Sequence, residues 1–98
     1  MIELHHLNTT ARDTNPTLFG HRITVSEGFT GVIRVANEIR LKGAEPLQFR
    51  AFPNADTSWS IEFVCTGDSR LMEMLRKRIY RIPTVIRIHC WRVMSQPA

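Results

Sequence analysis

The chain has 98 residues, 43% hydrophobic and 22% charged, which suits one soluble globular domain and is too short for two. No apolar run approaches the roughly 20 residues of a membrane helix, so a membrane partner is not expected. A net charge of +4 and a pI near 9.8 bring nucleic acid into consideration, against a plain surplus of arginine.

Residues 1–20 are polar and irregular. Asn8-Thr9-Thr10 and Asp13-Thr14-Asn15-Pro16 read as turns, so this stretch is expected to be an irregular extension draped over the domain. Met1-Ile2-Glu3-Leu4-His5-His6 has neither the basic region nor the apolar stretch of a signal peptide. With only two cysteines, a reduced cytoplasmic protein is the simplest expectation.

His21 to Ser26 alternates apolar and polar residues, the period of a strand with one buried face, and points Ile23 and Val25 inward. The stretch Gly28-Phe29-Thr30-Gly31 then allows a sharp turn. Val32, Val35, Ala36 and Ile39 recur at helical spacing, with Thr30 placed as the cap and Gly43 as the stop. Glu38 and Lys42 stand four apart in the favourable order for an ion pair. Unpaired amides at the start of such a helix attract carboxylates and phosphates, so this loop is the first place to look for a small anion.

Pro46 restarts an extended chain in which Leu47, Phe49 and Ala51 share one face. Pro53-Asn54-Ala55-Asp56 is turn material, and Trp59, Ile61, Phe63 and Cys65 alternate beyond it, so the two segments read as a hairpin. Asp68 or Ser69 caps a second helix with the apolar stripe Leu71, Met72, Leu75 and Ile79, and Glu73 pairs with Lys77. After the break at Pro83, Val85 to Val93 forms a last strand, and residues 94–98 are a tail. The order strand, helix, strand, strand, helix, strand predicts an α+β ferredoxin-like βαββαβ two-layer sandwich, an antiparallel sheet with two helices on one face.

From Asp68 onward seven basic residues (Arg70, Arg76, Lys77, Arg78, Arg81, Arg87, Arg92) face two acidic ones, Asp68 and Glu73. Such a run reads first as a solvated face, then as a surface for an acidic protein, and last as one for nucleic acid. Nothing assembles a nucleophile or base with helpers, so no catalytic set is expected. Cys65 and Cys90 fall on strands separated by the first strand, ~10 Å apart at ~4.8 Å per strand, beyond disulfide reach. His21 and His89 could meet across neighbouring strands, but with His5 and His6 they still lack a completing ligand set, and no metal or cofactor is expected. Trp59 and Trp91 read as packing or interface aromatics, Trp91 favouring an interface if exposed.

Three motifs carry a family resemblance over residues 21–93. Thr30-Gly31-Val32-Ile33-Arg34-Val35 looks like a small residue, a glycine and an apolar pair opening helix one. Arg40-Leu41-Lys42-Gly43-Ala44-Glu45-Pro46-Leu47 looks like a helix end stepping into strand two. Asp68 to Leu75, with Ile79 to Ile88, looks like the second helix and last strand. Together they resemble an ACT domain, most closely the small regulatory subunit of acetolactate synthase.

The resemblance implies a non-catalytic subunit that associates with and activates the large catalytic subunit in branched-chain amino-acid biosynthesis. It implies a homodimer or higher oligomer through edge strands and helix one, with an amino-acid effector at the interface. The implied effector residues are Gly28, Phe29, Thr30, Gly31, Val32 and Ile33, with Gly43, Ala44 and Glu45 approaching from the partner. Ligand-binding members usually carry Asn where this chain has Gly28 and Glu45, so the chain resembles the short, single-ACT, inhibitor-insensitive version. The alternative is a single-stranded nucleic-acid binder of RNA-recognition type. It needs exposed aromatics on central strands, whereas Trp59 and Phe63 share the period of Ile61, which suggests burial, and the signature Lys/Arg-Gly-aromatic-Gly/Ala-aromatic run is missing.

Overall fold

The computed structural model describes residues 17–93. His5, His6, the 94–98 tail and most of the expected extension lie outside the described residues. The elements are β1 (Thr17–Val25), α1 (Gly28–Leu41), β2 (Pro46–Pro53), β3 (Trp59–Gly67), α2 (Ser69–Tyr80) and β4 (Val85–Arg92). The strands form one sheet in the order β2-β3-β1-β4, every neighbouring pair antiparallel. This is the ferredoxin-like α+β sandwich that the alternation and helix periods predict.

Register fixes which side chains meet the helices. Phe19, His21, Ile23 and Val25 of β1 stand opposite Cys65, Phe63, Ile61 and Trp59 of β3. These inward residues join Val32, Val35 and Ile39 of α1 and Met72, Leu75 and Ile79 of α2 in one core. Ile23, Ile61, Leu75 and Ile79 are fully buried, each contributing about 2 kcal/mol through lost water contact. The other face of the sheet carries no helix. It shows Gly20, Arg22 and Thr24 of β1, the Glu62 and Val64 positions of β3, and Arg87, His89 and Trp91 of β4.

Four local expectations need correction. First, β1 begins at Thr17, four residues before the predicted strand. Phe19 continues the inward period and is buried, while Gly20 and the outward Leu18 hide that period from a hydrophobicity reading. Second, Thr30 does not cap α1. The cap position is Glu27 in the left-handed conformation, with no side-chain hydrogen bond, and Thr30 is exposed in the first turn. Third, Glu38 pairs with Arg78 of α2 at 3.1 Å, tying the two helices together. Fourth, the even alternation of Leu47, Phe49 and Ala51 is interrupted at Leu47, and Leu47 and Phe49 are each 41% exposed. Leu47 falls at a bulge in the pairing, and Phe49, although opposite Phe63, lies on an edge strand.

Other local signals match the chain closely. Gly43, at φ 77°, ends α1 in a Schellman arrangement: its N–H donates to the Arg40 carbonyl and the Ala44 N–H to that of Ile39. Asp68 caps α2 by accepting from the Leu71 N–H at 2.7 Å. The hairpin between β2 and β3 closes when Asn54 N–H donates to the Ser58 carbonyl at 2.8 Å, and Asp56 accepts from both Ser58 N–H and Oγ. Hydrogen bonds from Ser58 hold the Asp56 carboxyl below its ordinary range.

Candidate functional site

The turn from β1 into α1 passes through two consecutive left-handed residues, Glu27 at φ 66° and Gly28 at φ 59°. The glycines on either side of Phe29 and Thr30 do different things. Gly28 has open space around it, the nearest atom to an added Cβ being Trp59 Nε1 at 3.8 Å, so its role is conformational. Gly31 is buried, and a Cβ there would sit 2.3 Å from the Ser26 carbonyl oxygen and about 3 Å from Val25. Gly31 therefore sets how closely α1 rests on β1.

The nine residues that the ACT resemblance implies fall into two groups. Gly28, Phe29, Thr30 and Ile33 reach the surface at the start of α1, whereas Gly31 and Val32 face the core. Gly43 and Glu45 are exposed beyond its far end, with Ala44 buried between them. The first group fills the opening turns of the fourteen-residue helix and the second lies past its end; from Ile33 to Gly43 is ten residues, ~15 Å at 1.5 Å per residue. Within one chain they do not form one site.

The second group borders a shallow groove of about 220 Å³ between the outer side of α1, the α1–β2 loop and Phe49 of β2. Arg40 and Glu45 stand at its margin, and Ala36, Ile39 and Pro46 line it. Beside it runs an apolar strip that neither helix nor sheet covers: Phe29 is 61% exposed and Ile33 53%. Phe29 leans on Trp59 at a ring separation of 6.0 Å. The outer edge of β2 is unpaired and has a proline at each end, a common restraint on edge strands.

The core holds the titratable groups one would inspect for catalysis. Cys90 Sγ lies 3.3 Å from His21 Nε2, and His21 is fully buried with its Nδ1 unpartnered among the described residues. Burial depresses the His21 pKa to about 4 and pushes the Cys65 thiol up to about 11. Burial also raises the Cys90 thiol. A neutral imidazole beside a protonated thiol is not an activated nucleophile at neutral pH. Cys65 and Cys90 are both free, with β1 between their strands as the spacing argument expects. His21 and His89 do not meet: His21 opposes Cys90 on the helix side, and His89 opposes Arg22 on the open face. No group of three metal-ligating side chains exists among the described residues.

The basic run of α2 is partly neutralised. Glu73 pairs with Arg76 at 3.1 Å and with Lys77 at 3.8 Å, and Arg78 is committed to Glu38. A second set of charges, not singled out by sequence, occupies the open face. Glu62 receives Arg50 Nε at 2.8 Å and Arg22 Nε at 2.8 Å, and each arginine adds an Nη2 contact. These hydrogen bonds, Arg50's foremost, hold the Glu62 carboxyl below its ordinary range. The three residues border a hollow of about 350 Å³ lined also by His21, Gln48, Phe49, Phe63, Val64 and Trp91. Period-two alternation across β1, β2 and β3 could have found this trio, but only once the register between strands was known.

No helix among the described residues is long and apolar enough to cross a membrane. No protein-family model matches the chain, and no curated protein matches its sequence. Solved structures do share its fold. The C-terminal domain of the MgtC protein from Mycobacterium tuberculosis superposes with a TM-score of 0.70 at 13% identity, over 85% of this chain and 94% of that one. The ACT domain from GTP pyrophosphokinase of Chlorobium tepidum gives 0.67 at 10% identity, over 78% and 99%. An uncharacterized protein from Thermotoga maritima gives 0.68 at 15% identity, over 81% and 99%. The fold is thus ACT-like, and at these identities the likeness extends to the fold alone.

Proposed function

We propose that this domain is a non-catalytic regulatory subunit of ACT type. It pairs with a second copy along β2 and the outer side of α1. The observation that carries this reading is the uncovered apolar strip of Phe29, Ile33 and Phe49 beside an unpaired strand edge. Contiguous exposed apolar surface of this kind marks an interaction site. The finer reading, drawn from the sequence resemblance, is association with and activation of the catalytic subunit of acetolactate synthase. Two copies related by a twofold axis would bring the start of one α1 toward the other chain's Gly43–Glu45 groove, uniting the two separated groups. Amino-acid binding there would be weak. Glu45 places a carboxylate at the margin of the groove, and such a charge opposes an amino acid's own carboxylate.

Light scattering on the purified chain tests the pairing. A dimer is expected, with Ile33→Glu giving a folded monomer by circular dichroism. A monomeric wild-type chain would overturn this interface. Co-purification with an acetolactate synthase catalytic subunit, followed by activity assay with and without the chain, tests the finer reading. Stimulation that branched-chain amino acids leave unchanged is expected, and an unaltered rate would remove the acetolactate synthase assignment.

A further inference from the structure

The open face of the sheet differs from an ordinary solvated surface in one respect: an aromatic platform stands beside arginines already fixed in place. Trp91 of β4 reaches across to β1 and lies over Gly20, where an added Cβ would sit 2.5 Å from its six-membered ring. Trp91 is 41% exposed, and its indole packs against His89, ring centroids 5.4 Å apart and planes 25° apart. Across the hollow, Arg22 and Arg50 each give Nε and Nη2 to Glu62, leaving Nη1 unbonded among the described residues. Phe52 supports Arg50 from the side, 5.2 Å from ring centre to guanidinium carbon. One carboxylate thus orients two guanidinium groups and leaves a net positive charge.

From these positions we infer that the open face binds single-stranded nucleic acid, one base stacked on Trp91 and two adjoining phosphates held by Arg22 and Arg50. A partly exposed indole is sequence-tolerant footing for a base, and planar guanidinium donors match phosphate oxygens. An acidic peptide would use the arginines but leave the indole without a purpose. The hollow of about 350 Å³ is within the range of small-ligand sites, large enough for one nucleotide. A strand crossing from β4 to β2 would span three inter-strand spacings, ~14 Å. Trp59 and Phe63 do face the helices, as their period suggests, and the signature run of RNA-recognition domains is missing; the platform is instead Trp91, from the last strand. The pairing proposed above uses the β2 edge and the outer side of α1, and that surface meets the open-face hollow at Phe49, which lines both.

The test is fluorescence anisotropy of the full chain with a labelled oligonucleotide of about ten residues, at about 50 and 200 mM salt. Binding is expected with a log–log salt slope near −1.4, two phosphates at about 0.7 each. Arg50→Gln makes the slope shallower by about 0.7. Trp91→Ala weakens binding at least about fivefold, and Trp91→Phe restores most of it. Lys77→Gln on α2 removes the same charge and stays within about twofold, because its site lies on the opposite face. Arg50→Gln leaves the core untouched, so the inference stays testable if Trp91→Ala does not fold. The inference is overturned by absence of binding at low salt, or by an equal loss in Lys77→Gln and Arg50→Gln. Heparin bound as tightly, with Trp91→Ala indifferent, also overturns it. A free mononucleotide bound as tightly as the oligonucleotide would replace the strand as the ligand.

Discussion

His21 lies almost parallel to Phe63 of the neighbouring strand, with ring centroids 4.3 Å apart and planes 4° apart. A histidine in such a place behaves as an aromatic core residue whose charged form is excluded.

That exclusion makes stability depend on pH. The folded pKa of His21, about 4, is below the ordinary 6.5, so the unfolded chain binds this proton more readily. The stabilisation is complete above pH 6.5 and is lost as pH falls toward 4, on the order of 3 kcal/mol in all. Most of the decline between pH 6.5 and 5 belongs to His21, because the depressed carboxylates Glu62 and Asp56 act only lower, below their ordinary values. Urea midpoints measured across that interval should fall in the wild type and stay level in His21→Leu. Parallel declines in both would show that another group is responsible.

The two glycines of the β1–α1 turn should respond differently to alanine. Gly31→Ala drives a methyl group into the Ser26 carbonyl and Val25, and a loss of about 3 kcal/mol is expected, with α1 displaced from the sheet. Gly28→Ala meets no atom closer than 3.8 Å and bears only the left-handed backbone, about 1 kcal/mol. Chemical denaturation of the two variants separates a packing role from a conformational one. Equal losses would contradict the distinction.

Helix starts offer a further contrast. Asp68→Ala removes the acceptor for the Leu71 N–H and should cost about 1 kcal/mol. Thr30→Ala should change stability by less than about 0.5 kcal/mol, since Thr30 is exposed and does not cap α1. A larger loss at Thr30 than at Asp68 would mean that the β1–α1 turn is held differently from the geometry described.

The contrast also shows what the sequence made legible. Element order, both helices, the Gly43 stop and the Asp68 cap follow from local periods and capping chemistry, which need no knowledge of distant residues. Thr30 misled because several small polar residues precede α1, and the cap rule cannot choose among them when the turn is left-handed. The partner of Glu38 was also out of reach, since Arg78 lies 40 positions away and Lys42 only four. For the same reason, Arg22, Arg50 and Glu62 looked like scattered surface charges until register placed them side by side. Of the effector residues implied by resemblance, Val32 stands on the predicted apolar stripe and is buried, but position in the chain could not reveal that Gly31 and Ala44 also turn inward.

The division of labour within Gly28-Phe29-Thr30-Gly31 has a consequence for tracing descent. Glycine and asparagine are the residues that enter the left-handed region at least cost, so position 28 can drift between them while the turn survives. The Asn that the ACT resemblance would put there in a ligand-binding chain is therefore exchangeable with this chain's glycine as far as the backbone is concerned. Position 31 has no such freedom, because any side chain collides with the strand beneath. A glycine at 31 therefore records the spacing between layers of the sandwich. The residue at 28 answers only to the handedness of the turn.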